Sequence, residues 1–242
     1  MTPILELQDL SFRYEGGLPG EKVLDALTFA VAPGERVGLV GCNGVGKSTL
    51  LKILVGILPI QAGALTVGGL PMKRKNLAEI RRKVGYIFQD SDSQLFMPTV
   101  RADVAFAAEN YGYPPEEVAV RTRRALAAVH MEHCADRPVY RLSGGQKKLA
   151  SIAGILTLDP ALILMDEPSA ALDPRNQRAL IGILNALPCA KLIASHDLDF
   201  IYDTCDRVLL LHHGQLAADG PAREILRDKA LLESCLLYTS DA

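Results

Sequence analysis

The chain has 242 residues, 49% of them hydrophobic and 22% charged, with a formal charge of −2 and no tryptophan. That length carries one large or two small domains with a full core, and the near-neutral charge gives no support to a nucleic-acid coat or a polybasic membrane anchor. Five scattered cysteines (Cys42, Cys134, Cys189, Cys205, Cys235) without a C-x-x-C pair point to a reduced, cytosolic setting rather than a disulfide framework. The first six residues lack the basic and apolar regions of a signal peptide. No apolar run approaches about 18 residues, since 149–165 is broken by Asp159-Pro160. Any membrane role must therefore run through a partner.

Residues 4–14 alternate well enough for a strand, Gly16 to Gly20 make a loop, and 23–31 form a second strand ending at Pro33-Gly34. The apolar run 37–40 then breaks into Gly41-Cys42-Asn43-Gly44-Val45-Gly46-Lys47-Ser48-Thr49, and helical periodicity continues to Leu54. This turn matches G-x-x-x-x-G-K-[ST], the phosphate-binding loop of nucleoside triphosphatases. Gly41, Gly44 and Gly46 let the backbone curl so that consecutive N–H groups face phosphate oxygens, and the following helix adds the positive end of its dipole. Lys47 is placed to reach the β- and γ-phosphates, and the Ser48 hydroxyl to ligate Mg²⁺. A glycine-rich turn that binds nothing is the bland alternative, but such a match arises by chance in only about 1 of 100 chains of this length.

A short strand over 64–67 closes at Gly68-Gly69, which completes an antiparallel subsheet beside the phosphate-loop core. The basic clusters 73–75 and 81–83 read as a solvated helix face. After a strand over 84–88, the block from 90 to 158 turns mostly helical. One helix opens at Pro114-Pro115-Glu116-Glu117, with Val118, Thr122, Ala125 and Val129 as its buried stripe. His130, His133 and Cys134 bring together three metal-ligand types without an organised fourth, which is weak evidence for a metal. From 161 onward strands and helices alternate, as a parallel sheet requires. The strand 161–165 ends in Asp166 and Glu167, which at the carboxyl edge of such a sheet face the ligand crevice. Asp166 fits a Mg²⁺-holding acid and Glu167 the base that polarises an attacking water.

Leu142-Ser143-Gly144-Gly145-Gln146 decides between the classes of phosphate-loop protein. With this pentapeptide the sequence resembles the nucleotide-binding subunit of an ABC transporter, a likeness running from Ile4 to about Leu232. The resemblance implies an α/β P-loop ATPase of ABC type over residues 1–234. Its mixed core, with the antiparallel β part, spans 1–89 and 159–234, and its helical signature subdomain is inserted at 90–158. Residues 235–242 read as a non-native tail, because the family usually continues there.

The resemblance also implies ATP and Mg²⁺ as ligands, and a head-to-tail dimer with a second such subunit, identical or not. Each ATP then lies between one subunit's phosphate loop and the other's Ser143, Gly144, Gly145 and Gln146. Tyr14 corresponds to the aromatic that stacks on adenine, with Gly41, Asn43, Gly44, Gly46, Lys47, Ser48 and Thr49 around the phosphates. Gln89 corresponds to the glutamine that touches Mg²⁺ and the attacking water, and Ser169 to Asp173 to the loop coupling the two sites. His196 corresponds to the histidine that contacts the γ-phosphate. One departure is Leu149, where the family usually places arginine.

Phe88 to Val100, with Asp103-Val104-Ala105-Phe106, is similar to energy-coupling-factor importer ATPases of the cobalt/nickel branch, although Ser91 and Ser93 replace the more typical proline and aspartate. In those importers the ATPase sits on the cytoplasmic face of a prokaryotic membrane, with integral membrane subunits and a substrate-binding membrane component. The cargo is a transition-metal ion or a vitamin. Leu95-Phe96-Met97 falls where membrane subunits dock, with core packing as the alternative. A soluble, non-transport ABC ATPase is the rival reading. It normally brings two cassettes or a long coiled coil, whereas this chain has one cassette and no sustained heptads.

Overall fold

In the computed structural model, residues 2–16 and 22–235 are described. The expected loop at 16–20 falls mostly outside these residues, as does nearly all of the expected tail at 235–242. The chain runs β1 (Leu5–Phe12), β2 (Leu24–Val31), β3 (Arg36–Val40), α1 (Lys47–Leu54), β4 (Ala62–Val67), β5 (Leu70–Pro71), α2 (Leu77–Lys83) and β6 (Val84–Ile87). It continues through α3 (Val100–Asn110), α4 (Pro115–Ala128), α5 (Gly144–Leu156), β7 (Leu162–Asp166), α6 (Pro174–Ala186) and β8 (Ala190–Ala194). It ends with α7 (Leu198–Thr204), β9 (Arg207–His212), β10 (Gln215–Pro221), α8 (Ala222–Ile225) and α9 (Lys229–Ser234).

The strands make two sheets. One is antiparallel, in the order β2-β1-β4-β5; the other has the order β10-β9-β3-β8-β7-β6, parallel except for β10 at its edge. The alternation of β1 is broken between Leu7 and Leu10, where the register shifts against β2 and Asp9 adopts φ +49°. This bulge returns Leu10 and Phe12 to the buried face that Leu5 and Leu7 began.

The central parallel strands are buried on both faces, which is why they read as unbroken apolar runs. Leu162, Leu164, Leu192 and Ala194 pack with α1 and the antiparallel sheet. Ile163, Met165 and Ile193 face the other way, into a core shared with α5 and α6. Each fully buried aliphatic side chain of this kind contributes about 1.5–3 kcal/mol. The expected stripe of α4 is buried at all four positions, Val118, Thr122, Ala125 and Val129.

The basic cluster on α2 is solvent-facing, with Arg81 and Arg82 exposed, as the sequence suggests, and it also makes hydrogen bonds. Arg81 donates to the carbonyls of Val55 (3.3 Å) and Gly56 (2.9 Å), and so closes the end of α1. Arg82 bonds the Tyr113 hydroxyl. Leu149 packs against the core, so the family's arginine position is filled by an apolar contact.

Parallel strand ends fix the place of the site. β3, β6, β7 and β8 all finish at the same edge, in register Leu39 beside Ala194, Ala194 beside Asp166, and Met165 beside Ile87. The residues that follow these strands therefore meet there.

Arg207 ties the two sheets together. It donates to Asp219 on β10 (2.5 and 2.6 Å), to Ala30 O on β2 (2.9 Å) and to Glu35 (3.0 Å). Its guanidinium is held well above its ordinary range, chiefly by the hydrogen bonds to Asp219. Arg207→Met should cost about 1–3 kcal/mol, because it leaves partly buried acceptors unpaired. A thermal melt should then show Tm lowered by about 3–10 °C, and an unchanged Tm would mean that the cluster contributes nothing.

Candidate nucleotide site

The phosphate loop leaves β3 at Val40 and enters α1 at Lys47, with Gly46 as the residue before the helix. Gly46 sits at φ +111°, and a Cβ there would lie 2.7 Å from Leu24 Cδ2. At Gly41 a Cβ would meet the Leu211 carbonyl oxygen at 2.5 Å, so β9 backs directly onto the loop. The motif's glycines are thus required by both conformation and close approach.

A cleft of about 440 Å³ opens beside this loop. It is lined by Tyr14, Val23, Asn43, Gly44, Gly46, Lys47, Ser48, Thr49, Gln89, Glu167 and His196. Four strand ends and β1 thus deliver ten of the residues singled out from sequence to one wall, with Val23 as the unforeseen neighbour. Tyr14 stands at the rim, half exposed, its hydroxyl 3.0 Å from Thr49 Oγ1 and its ring edge-on to Phe12.

Lys47 is buried, and its ammonium donates to the carbonyls of Gly41 (2.7 Å) and Cys42 (3.3 Å). It also lies 3.8 Å from Glu167 Oε1. Burial lowers its proton affinity, and the charges of Glu167 and Asp166 pull the other way. Glu167 is 6% exposed, with φ +46°. Its Oε2 accepts from Ser195 Oγ (3.0 Å), from the His196 backbone N–H (3.3 Å) and from His196 Nδ1 (2.9 Å). Oε1 is left facing Lys47 and the cleft.

Asp166 is raised above the usual carboxylate range, first by burial and then by the charge of Glu167, while the Ser48 hydroxyl beside it pulls down. Its Oδ1 is buried and has no hydrogen-bond partner among the described residues. The Tyr86 hydroxyl is likewise buried and unpartnered, and burial with the nearby Asp166 charge pushes it well up. An orphaned carboxylate oxygen next to a serine hydroxyl is a hard-oxygen donor set, which suits Mg²⁺.

The second group of expected residues lies elsewhere. Ser143 caps α5, its hydroxyl accepting from the Gln146 N–H (3.3 Å) while Gln146 Oε1 accepts from the Ser143 N–H (3.1 Å). Asp173 caps α6, accepting from the N–H groups of Arg175 (3.0 Å) and Asn176 (2.9 Å). The two helix starts touch, since a Cβ on Gly145 would lie 2.9 Å from Asn176 Cγ. Neither Ser143 to Gln146 nor Asp173 lines the cleft. Ser195 escaped sequence reasoning as a site residue, although its place between a buried strand and His196 was the signal available.

This is the layout of a P-loop nucleotide-binding protein. The family model for the ABC transporter matches residues 24–170. A protein of Geobacter sulfurreducens assigned as an ABC transporter ATP-binding protein is 44% identical over 97% of this chain and 93% of its own. The energy-coupling factor transporter ATP-binding protein EcfA of Methanocaldococcus jannaschii is 42% identical over 93% of this chain and 81% of its own. Among solved structures, cbiO1 of Clostridium perfringens, part of the ABC transporter complex cbiONQ, superposes with a TM-score of 0.84 at 34% identity. That match covers 96% of this chain and 94% of cbiO1. The chain belongs to the ABC transporter ATP-binding family, and it is an ATPase subunit of that type.

Lys47→Met removes an ammonium bonded to the loop's own carbonyls and free to turn to a phosphate. Titration with a fluorescent ATP analogue should show affinity weakened about 10- to 150-fold, the equivalent of about 1.5–3 kcal/mol for charge-assisted contacts. Unaltered affinity would place the triphosphate elsewhere.

Proposed function

We propose that this chain powers an energy-coupling-factor-type importer from the cytoplasmic face of a prokaryotic membrane, hydrolysing Mg-ATP in the cleft beside Lys47. The observation that carries the catalytic assignment is the asymmetric bonding of Glu167. Three donors saturate Oε2, and only Oε1 remains to take a proton. An attacking water gives that proton to Oε1 as its oxygen joins the γ-phosphorus, and the bond to the β-γ bridging oxygen breaks.

Ser48, the orphaned Asp166 Oδ1 and the side chain of Gln89 would hold Mg²⁺, which neutralises charge on the β- and γ-phosphate oxygens. Lys47 turns from its loop carbonyls to the phosphates. His196, whose ring is held against Glu167, is assigned to the γ-phosphate. Tyr14 supports the adenine. Because Ser143 to Gln146 and Asp173 lie outside the cleft, they are assigned to the nucleotide of a second ABC subunit in a head-to-tail dimer. Residues 90–158 act as the subdomain that carries the signature toward that partner.

A docking surface for the membrane subunits lies on the same block. Asp103 accepts from the N–H groups of Phe96 (2.8 Å) and Met97 (2.7 Å), and so holds the turn that leaves Phe96 64% exposed and edge-on to Phe106. These rings line a groove together with Arg81, Arg82 and Leu95. Leu95 itself is buried, so the apolar triplet divides between core and surface. The relatives, an energy-coupling factor transporter ATP-binding protein and a part of an ABC transporter complex, support a role in transport; a transition-metal ion or a vitamin is the cargo we propose, bound by a membrane component.

Two measurements test this reading. Glu167→Gln should bind Mg-ATP, persist as an ATP-bound dimer in size-exclusion chromatography, and hydrolyse about 10²- to 10⁴-fold more slowly. Near-normal turnover would remove Glu167 from the role. Phe96→Asp should leave turnover of the purified chain within about twofold, since a surface change of this kind disturbs the fold little. It should also abolish recovery with integral membrane proteins. Recovery of the wild-type chain with ribosomes instead would refute the transport role.

A further inference from the structure

Three lysines are buried among the described residues. Lys47 faces the cleft, and Lys191 closes its own neighbourhood by donating to the carbonyls of Leu187 (2.6 Å) and Cys189 (2.9 Å). Lys148 is different. It sits on the second turn of α5, is 2% exposed, and reaches a segment about 60 residues earlier in the chain. Its ammonium donates to the carbonyls of Phe88 (2.9 Å) and Gln89 (2.8 Å).

Burying an ammonium costs several kcal/mol unless it is paired and hydrogen-bonded. Burial does push Lys148 down to about 8, with the charges of Asp90 and Asp166 opposing. A methionine or leucine would fill the same space at no such cost, apart from leaving two carbonyls unbonded. What the lysine gains is a grip on the point where the chain leaves β6 and Gln89 enters the wall of the cleft.

The rest of that segment is built to be gripped. Asp90 accepts from the Asp92 N–H (2.9 Å) and from Ser93 Oγ (2.7 Å). Gln94 accepts from the Phe88 N–H (3.2 Å) and donates to Tyr86 O (3.4 Å). The turn from 88 to 94 is thereby closed on itself. Lys147, next to Lys148 on α5, forms an ion pair with Asp92 on the same turn. Two adjacent lysines of the helix that begins at Gly144 therefore bolt this turn down.

We propose that Lys148 is a positioning residue: by tying the 88–94 turn to α5 it fixes where Gln89 stands in the wall of the cleft. This rests on the hydrolytic reading above, in which Gln89 serves the chain's own cleft.

The test uses the full chain and Mg-ATP, with nucleotide-binding stoichiometry, Kd and kcat per bound-nucleotide site as readouts. Lys148→Met keeps the unbranched stem and removes the donors. It should lower kcat per site about tenfold or more at an unchanged Kd, since small displacements of a positioning group cost up to about 10²-fold. Lys148→Gln, which keeps two N–H donors on a stem one bond shorter, should recover much of the loss and covers the case in which Lys148→Met fails to fold. In a Gln89→Ala background, Lys148→Met should cost less than about twofold more, because both act through one group.

Unchanged kcat per site, or losses that multiply with Gln89→Ala, would overturn the proposal. A wild-type chain that binds Mg-ATP without turnover would overturn the hydrolytic reading instead. The link is then judged by hydrogen exchange. Lys148→Met should speed exchange of the 88–94 amides about tenfold or more while α5 is unaffected, and unchanged exchange contradicts it.

Discussion

Two buried carboxylates and one buried ammonium meet where parallel strands end, and the rest of the structure is arranged around the cost of keeping them there. Asp166, Glu167 and Lys47 are all nearly inaccessible. Such groups are tolerated only with partners, because an isolated ion of this size loses several kcal/mol on leaving water. Lys47 is supplied with the carbonyls of Gly41 and Cys42, and Glu167 with three donors from Ser195 and His196. Asp166 Oδ1 is given none among the described residues. The cluster carries one more negative than positive charge, and a serine hydroxyl lies beside Asp166; a divalent cation held there would answer both the excess charge and the unmet oxygen.

Strand topology makes that cluster possible. A parallel sheet brings the carboxyl ends of β3, β6, β7 and β8 to one edge, although the residues concerned are scattered from 41 to 196. The helical block adds what the sheet edge lacks. It places the capping box of Ser143 and Gln146 away from the chain's own cleft, and it returns Lys147 and Lys148 to the turn that presents Gln89.

Much of this was legible in the sequence, for physical reasons. The phosphate loop is written in glycines that only certain backbone shapes need, and the buried strands are written as apolar runs. What escaped depends on tertiary approach. The bulge at Asp9 leaves no mark in an alternating pattern. Ser195 looks like the polar end of a strand until its hydroxyl is found 3.0 Å from Glu167. Nothing in the sequence marks Lys148 as buried, yet it lies against the backbone of Gln89. The basic residues of α2 read as surface and are exposed, but the bonds by which Arg81 closes α1 could not be read from the sequence. The triplet at Leu95 could not be assigned to core or surface because it belongs to both.

The central claim concerns the chemistry of one cleft, and a crystal structure with Mg²⁺ and a non-hydrolysable ATP analogue tests it most directly. The account predicts the triphosphate on the amides of 43–48 and Mg²⁺ on Ser48 Oγ, Asp166 Oδ1 and the side chain of Gln89. It also predicts a water between Glu167 Oε1 and the γ-phosphorus. A triphosphate bound away from Lys47, or a metal held by other side chains, would contradict it.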